Sequence, residues 1–170
     1  VAGDPERALP LLQGACAAEP GSAALHFNLA TGLLFAGRLD EAGAAYEACL
    51  ARQPLHGKAH LGLAQLRDAT PQRNHLDRLR RALAQPGLPA GTGMHLHLAL
   101  AKELEDLGEH PAAFVELQAG KALGRGGRGS SWPADRARMR ALLQRFPSPL
   151  ALPDVPAGPI FVVGMPRTGT

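Results

Sequence analysis

Apolar residues recur along most of this chain with the period of a helix. Over residues 23–36, Leu25, Leu29, Leu33 and Ala36 fall at i, i+4, i+8 and i+11, one stripe of a 3.6-residue helix. Ser22 stands where an N-cap would accept a free first-turn amide, and Gly37 where a left-handed residue would stop the helix. A second helix is predicted over residues 40–52, apolar at Ala42, Ala45, Tyr46 and Cys49 and ended by Pro54. Before this pair the same reading gives a helix from Pro5 to Ala18. After it, residues 57–93 read as a weakened pair, with Pro71 in its turn and Pro86 and Pro89 at its exit. A further pair is expected from Met94, turning at Gly108, and a last helix at about residues 134–146.

These elements repeat. Gly3 and Gly37 lie 34 residues apart, as do Ala8 and Ala42, Leu12 and Tyr46, and Pro20 and Pro54. Ala15 and Cys49, His26 and His60, Leu29 and Leu63, and Ala30 and Ala64 keep the same spacing. Gly108 follows Gly37 by 71 residues, two periods plus an insertion of three, and Leu100, Ala101, Leu104, Ala113, Leu117 and Gly120 then fall in register. A 34-residue period with small, large, small and proline at fixed offsets resembles the tetratricopeptide repeat (TPR). Two antiparallel helices cannot bury both apolar faces alone, so units stack, with alanine where helices approach most closely. The expected fold class is all-α, a TPR-like solenoid of antiparallel helix pairs over residues 1–123. A loop and terminal helix follow at 124–146, then a Pro-rich linker at 147–158.

Residues 159–170 differ in kind. Ile160, Phe161, Val162 and Val163 form a continuous apolar run that suits a strand buried on both faces of a parallel sheet. GMPRTGT follows at once, a Gly-bounded turn with hydroxyl residues of the sort that cradles a phosphate on backbone amides. Against the pattern G-x-x-x-x-G-K-[ST], Gly164 and Gly169 match, but Thr170 stands where the lysine belongs and the cation has moved to Arg167. A P-loop kinase or NTPase would lack its main cation here.

PIFVVGMPRTGT resembles the opening strand and 5′-phosphate loop of sulfotransferases, whose pattern is close to P-[KR]-[ST]-G-[ST]-[ST]. ALAKELEDLGEHPAAFVELQAGKAL, residues 99–123, is similar to the last repeat of bacterial TPR-sulfotransferases. The resemblance implies that residues 159–170 begin an α/β sulfotransferase domain and that the sequence starts and stops inside a longer protein. It further implies that 3′-phosphoadenylyl sulfate (PAPS) is the donor, with Pro166, Arg167, Thr168, Gly169 and Thr170 at its 5′-phosphate. The family's catalytic base and acceptor pocket would lie after Thr170. A TPR adaptor without that activity is the alternative.

A net charge of +3 and a pI near 9.3 are too mild for a nucleic-acid signature. With mean hydropathy −0.08, no apolar run nears the roughly 20 residues a bilayer span requires. Neither nucleic acid nor membrane is expected as a partner, and the expected location is cytoplasmic. Two cysteines, Cys16 and Cys49, read as small buried thiols rather than a disulfide framework. His26, His60 and His97 share one repeat position. Successive units are at least about 8–10 Å apart, so these histidines read as packing residues and no metal is expected.

GRGGRGSS, residues 124–131, reads as a loop. The basic run Arg73, Arg78, Arg80 and Arg81 and the acidic stretch Glu103, Glu105, Asp106 and Glu109 read as solvated faces. The first helices of a TPR array line its concave surface. That places Phe27, Asn28, Thr31, Phe35, Lys58, Leu61, Gln65 and Lys102 in a groove for a protein or peptide partner.

Overall fold

The computed structural model describes residues 5–125 and 132–147. The strand and phosphate loop expected over residues 160–170 lie outside the described residues. The chain divides into two units, Val1–Arg128 and Gly129–Thr170.

Among its described residues the first unit holds seven helices: α1 (Pro5–Ala18), α2 (Ala23–Phe35), α3 (Leu39–Arg52), α4 (Gly57–Gln65), α5 (Leu76–Leu83), α6 (Ala90–Asp106) and α7 (His110–Arg125). Among the described residues there is no strand, and an isolated bridge from Thr70 to Arg73 closes a turn. The ends of α2 follow from its sequence. Ser22 Oγ accepts the Leu25 N–H at 3.4 Å. Gly37 has φ +74°, and two hydrogen bonds satisfy the last carbonyls: Gly37 N–H to Leu34 O at 3.0 Å and Arg38 N–H to Leu33 O at 2.9 Å. Gly108 repeats the device after α6, with φ +78° and Glu109 N–H donating to Leu104 O at 2.9 Å. These short turns make α2–α3 and α6–α7 tightly packed pairs.

Alanine sits where helices close on one another. Ala30 and Ala42 are 0% exposed, Ala64 3%, Ala101 7% and Ala113 8%. One core cluster joins α1 to α4 around Leu33, Tyr46, Cys49 and Leu50, and a second joins α4 to α7 around Leu79, Leu96 and Leu100. Close approach is tightest where side chains are missing. A Cβ on Gly62 would stand 2.6 Å from Tyr46 Cζ, and one on Gly57 would stand 2.9 Å from the Thr92 carbonyl oxygen. Gly57 thus lets the start of α4 lie against the start of α6, and the two helices run side by side.

The weakened third pair departs most from expectation. α4 and α5 are nine and eight residues long, with residues 66–75 between them. α5 packs on α6 rather than pairing with α4. α6 starts at Ala90, four residues before the expected Met94, because Pro89 is already in extended backbone at its N-cap (φ −60°, ψ 139°). In the second unit, α8 (Trp132–Arg145) shows only exposed side chains over residues 133–145.

Candidate partner-binding groove

Because α4 and α6 lie side by side and α7 folds back on α6, the three helices enclose a depression of 350 Å³. Leu61 and Gln65 come from α4, Leu98, Lys102 and Glu105 from α6, and Phe114 and Leu117 from α7. Phe114 is 58% exposed, an aromatic ring left on the surface of this depression. The floor is apolar, with Leu61, Leu98, Ala101 and Ala113. The rim carries the ammonium of Lys102 and the carboxylate of Glu105.

Lys102 is held in place. Its Nζ donates to Asp106 Oδ2 at 2.6 Å and Oδ1 at 2.7 Å, to Asp68 Oδ1 at 3.3 Å and to Arg67 O at 3.4 Å. Partial burial works against its charge, but the hydrogen bonds and charges of Asp106 and Asp68 outweigh this, and the pKa is raised above the ordinary lysine value.

Of the eight residues the sequence assigns to a partner groove, Leu61, Gln65 and Lys102 come together in this depression. Phe27 is half-buried, its ring 4.8 Å from that of His56 and 5.9 Å from that of Tyr46, within the first core cluster. Thr31 donates its hydroxyl to Phe27 O at 3.0 Å along its own helix. Asn28, Phe35 and Lys58 are exposed and do not line this depression; Phe35 is 74% exposed. Sequence reasoning named only first-helix residues and so missed Phe114 and Leu117. Their spacing of three on α7, one helical turn, is the signal that could have found them. Pro166, Arg167, Thr168, Gly169 and Thr170 lie outside the described residues.

The acidic stretch is only partly a solvated face. Glu105 and Glu109 are exposed, but Glu103 is 2% exposed and Asp106 is mostly covered. Both carboxylates face residues 66–75. Glu103 takes the His75 backbone N–H at 2.5 Å and His75 Nδ1–H at 2.7 Å, and Asp106 Oδ2 takes the Ala69 N–H at 2.7 Å. A segment between two short helices has amides that no helix satisfies, and these carboxylates accept them. The basic run needs the same correction at Arg78, whose terminal nitrogens reach Glu47 at 2.8 Å and whose Nε is buried.

The repeated histidines are packing residues in two of three units. His26 Nε2 lies 3.1 Å from Pro20 O and His60 Nε2 lies 2.8 Å from Pro54 O, the same bond one period apart. His97 instead donates Nδ1–H to Glu116 of α7 at 2.6 Å. Cys16 and Cys49 are free and buried, and burial raises both thiol pKa values against the opposing charge of Arg52. Among the described residues no cluster of three or more His, Cys, Asp or Glu could hold a metal ion, and no helix is long and apolar enough to cross a membrane.

A tetratricopeptide repeat family model matches residues 2–44, the stretch that runs through α1 and α2 into α3. No curated protein matches the chain. The N-terminal helices are therefore similar to a repeat whose stacked units commonly serve as surfaces for protein–protein contact.

Proposed function

We propose that the α4–α6–α7 groove seats a peptide or protein segment, and that this scaffold presents the segment to a PAPS-dependent sulfotransferase domain beginning at residue 159. The observation that carries the groove is Phe114, an aromatic side chain left more than half exposed on an apolar floor between a fixed ammonium and a carboxylate. Exposed aromatic anchors with polar rims are the usual energetic centres of peptide recognition.

The enzymatic part is supported by the sequence of residues 159–170. The donor set there, a guanidinium at Arg167, hydroxyls at Thr168 and Thr170 and a Gly169 that lets backbone approach, fits a terminal phosphate. PAPS, when bound, supplies the sulfuryl group. Arg167 to Thr170 would hold its 5′-phosphate, and the helical scaffold would fix the acceptor relative to it. A TPR adaptor without sulfotransfer is the competing reading.

The test uses a longer protein that continues past Thr170. Calorimetry with adenosine 3′,5′-bisphosphate should show binding that Arg167→Ala weakens by about tenfold or more. Sulfate transfer to acceptor peptides should fall with Phe114→Asp while bisphosphate binding holds. A folded longer protein that binds no bisphosphate would leave the adaptor reading in its place.

A further inference from the structure

Because α5 packs on α6, it stands away from α4 and opens a cleft against the second half of α3. This cleft measures 600 Å³, within the range of sites that hold peptide side chains or small ligands. Its walls are Leu50, Ala51, Pro54 and Leu55 from α3 and the turn after it, and Ala82 from α5. It shares no residue with the α4–α6–α7 groove.

Three polar groups of this cleft are incompletely matched. The Arg81 side chain makes one hydrogen bond, Nε–H to Asp77 O at 3.2 Å, and has no carboxylate partner among the described residues. Arg78 is neutralised by Glu47 through its terminal nitrogens, yet its Nε–H is buried without an acceptor. His60, 2% exposed, gives its Nε2–H to Pro54 O, which leaves Nδ1 as a buried acceptor with no donor. Native interiors carry few such atoms, and two on residues of one cleft require an explanation.

We infer that this cleft is a second binding site, for a short peptide segment that sets an apolar side chain beside a carboxylate. The apolar walls take the side chain and Arg81 takes the carboxylate: Glu47 also lines the cleft but is already paired with Arg78, so Arg81 is the lining cation left without a counter-charge. A peptide fits better than a simple fatty or aryl acid. Its backbone carries both a carbonyl and an N–H, the complements of the two unmatched atoms, which are buried until their side chains turn. Arg78, with a third of its side chain exposed, is the group that turns to meet it. The inference rests on the α3–α5 cleft alone, so its failure and that of the groove reading are separable.

The test titrates the 170-residue chain against fluorescein-labelled Leu-Glu-Leu-Glu-Leu by fluorescence anisotropy, with circular dichroism confirming the fold of each variant. Saturable binding at about 10–100 µM is expected, weakened about tenfold or more for Leu-Gln-Leu-Gln-Leu and for Arg81→Glu. Phe114→Ala should leave it unchanged, and amide shifts should cluster at residues 50–55 and 78–85. Equal affinity for the acidic and amide peptides would overturn the inference. So would loss of binding in Phe114→Ala, shifts confined to α7, or no saturation by about 1 mM with the fold intact.

Discussion

The carboxylate of Glu103 accepts two hydrogen bonds from a single residue, His75: the backbone N–H at 2.5 Å and the imidazole Nδ1–H at 2.7 Å. His75 is the N-cap of α5 and makes no capping bond with its own side chain. An acid on α6, 28 residues away, therefore takes the N-cap amide that a local Glu or Gln at the third helical position accepts in a capping box, and its charge faces the positive end of the helix. This one contact ties the weakened third unit to the fourth.

Glu103→Ala removes the acceptor and leaves two donors of His75 without partners in a covered site. Breaking a buried, charge-assisted contact in this way costs about 2–4 kcal/mol. The expected result is a lower melting temperature together with faster amide exchange across α5, while α2 and α3 keep their protection. Glu103→Gln retains one acceptor and should lose less. An unchanged melting temperature in Glu103→Ala would show that the packing of Leu76, Leu79, Ala82 and Leu83 holds α5 without this contact.

Glu103 also marks where the sequence stops being legible. The legible signals are either local, as with Ser22 capping α2 and Gly37 and Gly108 at positive φ, or periodic, as with the buried alanines Ala30 and Ala64 at 34-residue spacing. Glu103, Glu105, Asp106 and Glu109 look alike in composition. Only the fold of residues 66–75 against α6 separates the two that turn inward. That contact spans 28 to 37 residues and leaves no periodic trace. The groove was half legible for a related reason. Leu61, Gln65 and Lys102 follow from first helices lining a surface, whereas Phe114 joins them because α7 folds back on α6.

Stability should fall as the pH drops through the range where histidines titrate. Burial is the main cause lowering the His60 pKa, with Arg78 and His75 acting in the same direction and Pro54 O and Glu47 against them. His56 is lowered as well, again chiefly by burial. A histidine whose folded pKa lies below its unfolded value contributes stability in full above the unfolded pKa, about 6.5, and loses it as the pH falls toward the folded value. Urea denaturation at pH 7.5 and pH 5.5 should give the lower midpoint at pH 5.5. His60→Gln, which keeps a donor for Pro54 O, should narrow that difference.

Gly62→Ala sets two effects against each other. Alanine favours a helix over glycine by about 1 kcal/mol. Here its Cβ would stand 2.6 Å from Tyr46 Cζ and 2.8 Å from its hydroxyl, and Tyr46 is buried in the first core cluster. The ring cannot move without disturbing Phe27, 5.9 Å away. Overpacking of this kind costs about 1–3 kcal/mol, so a net loss is expected, read as a lower urea midpoint at unchanged slope. The double variant Gly62→Ala with Tyr46→Phe should recover part of it, since one of the colliding atoms is then gone.

Ala42→Leu tests whether alanine at the repeat positions is required by packing or merely by helix propensity. Ala42 is 0% exposed and shares the first core cluster with Ala30, also 0% exposed, so α2 and α3 meet there with no spare volume. Leucine is nearly as good a helix former as alanine, so propensity predicts almost no change. Packing predicts a cost of about 1–3 kcal/mol, because three added carbons must push the pair apart or bend out of rotamer. For a chain of this size each kcal/mol shifts the melting temperature by about 2–4 °C. Ala44→Leu, an exposed position on the same helix, is the control and should stay within about 0.5 kcal/mol of the parent. Equal melting temperatures for the two variants would mean that α2 and α3 tolerate separation, and close approach would no longer explain the 34-residue spacing of small residues.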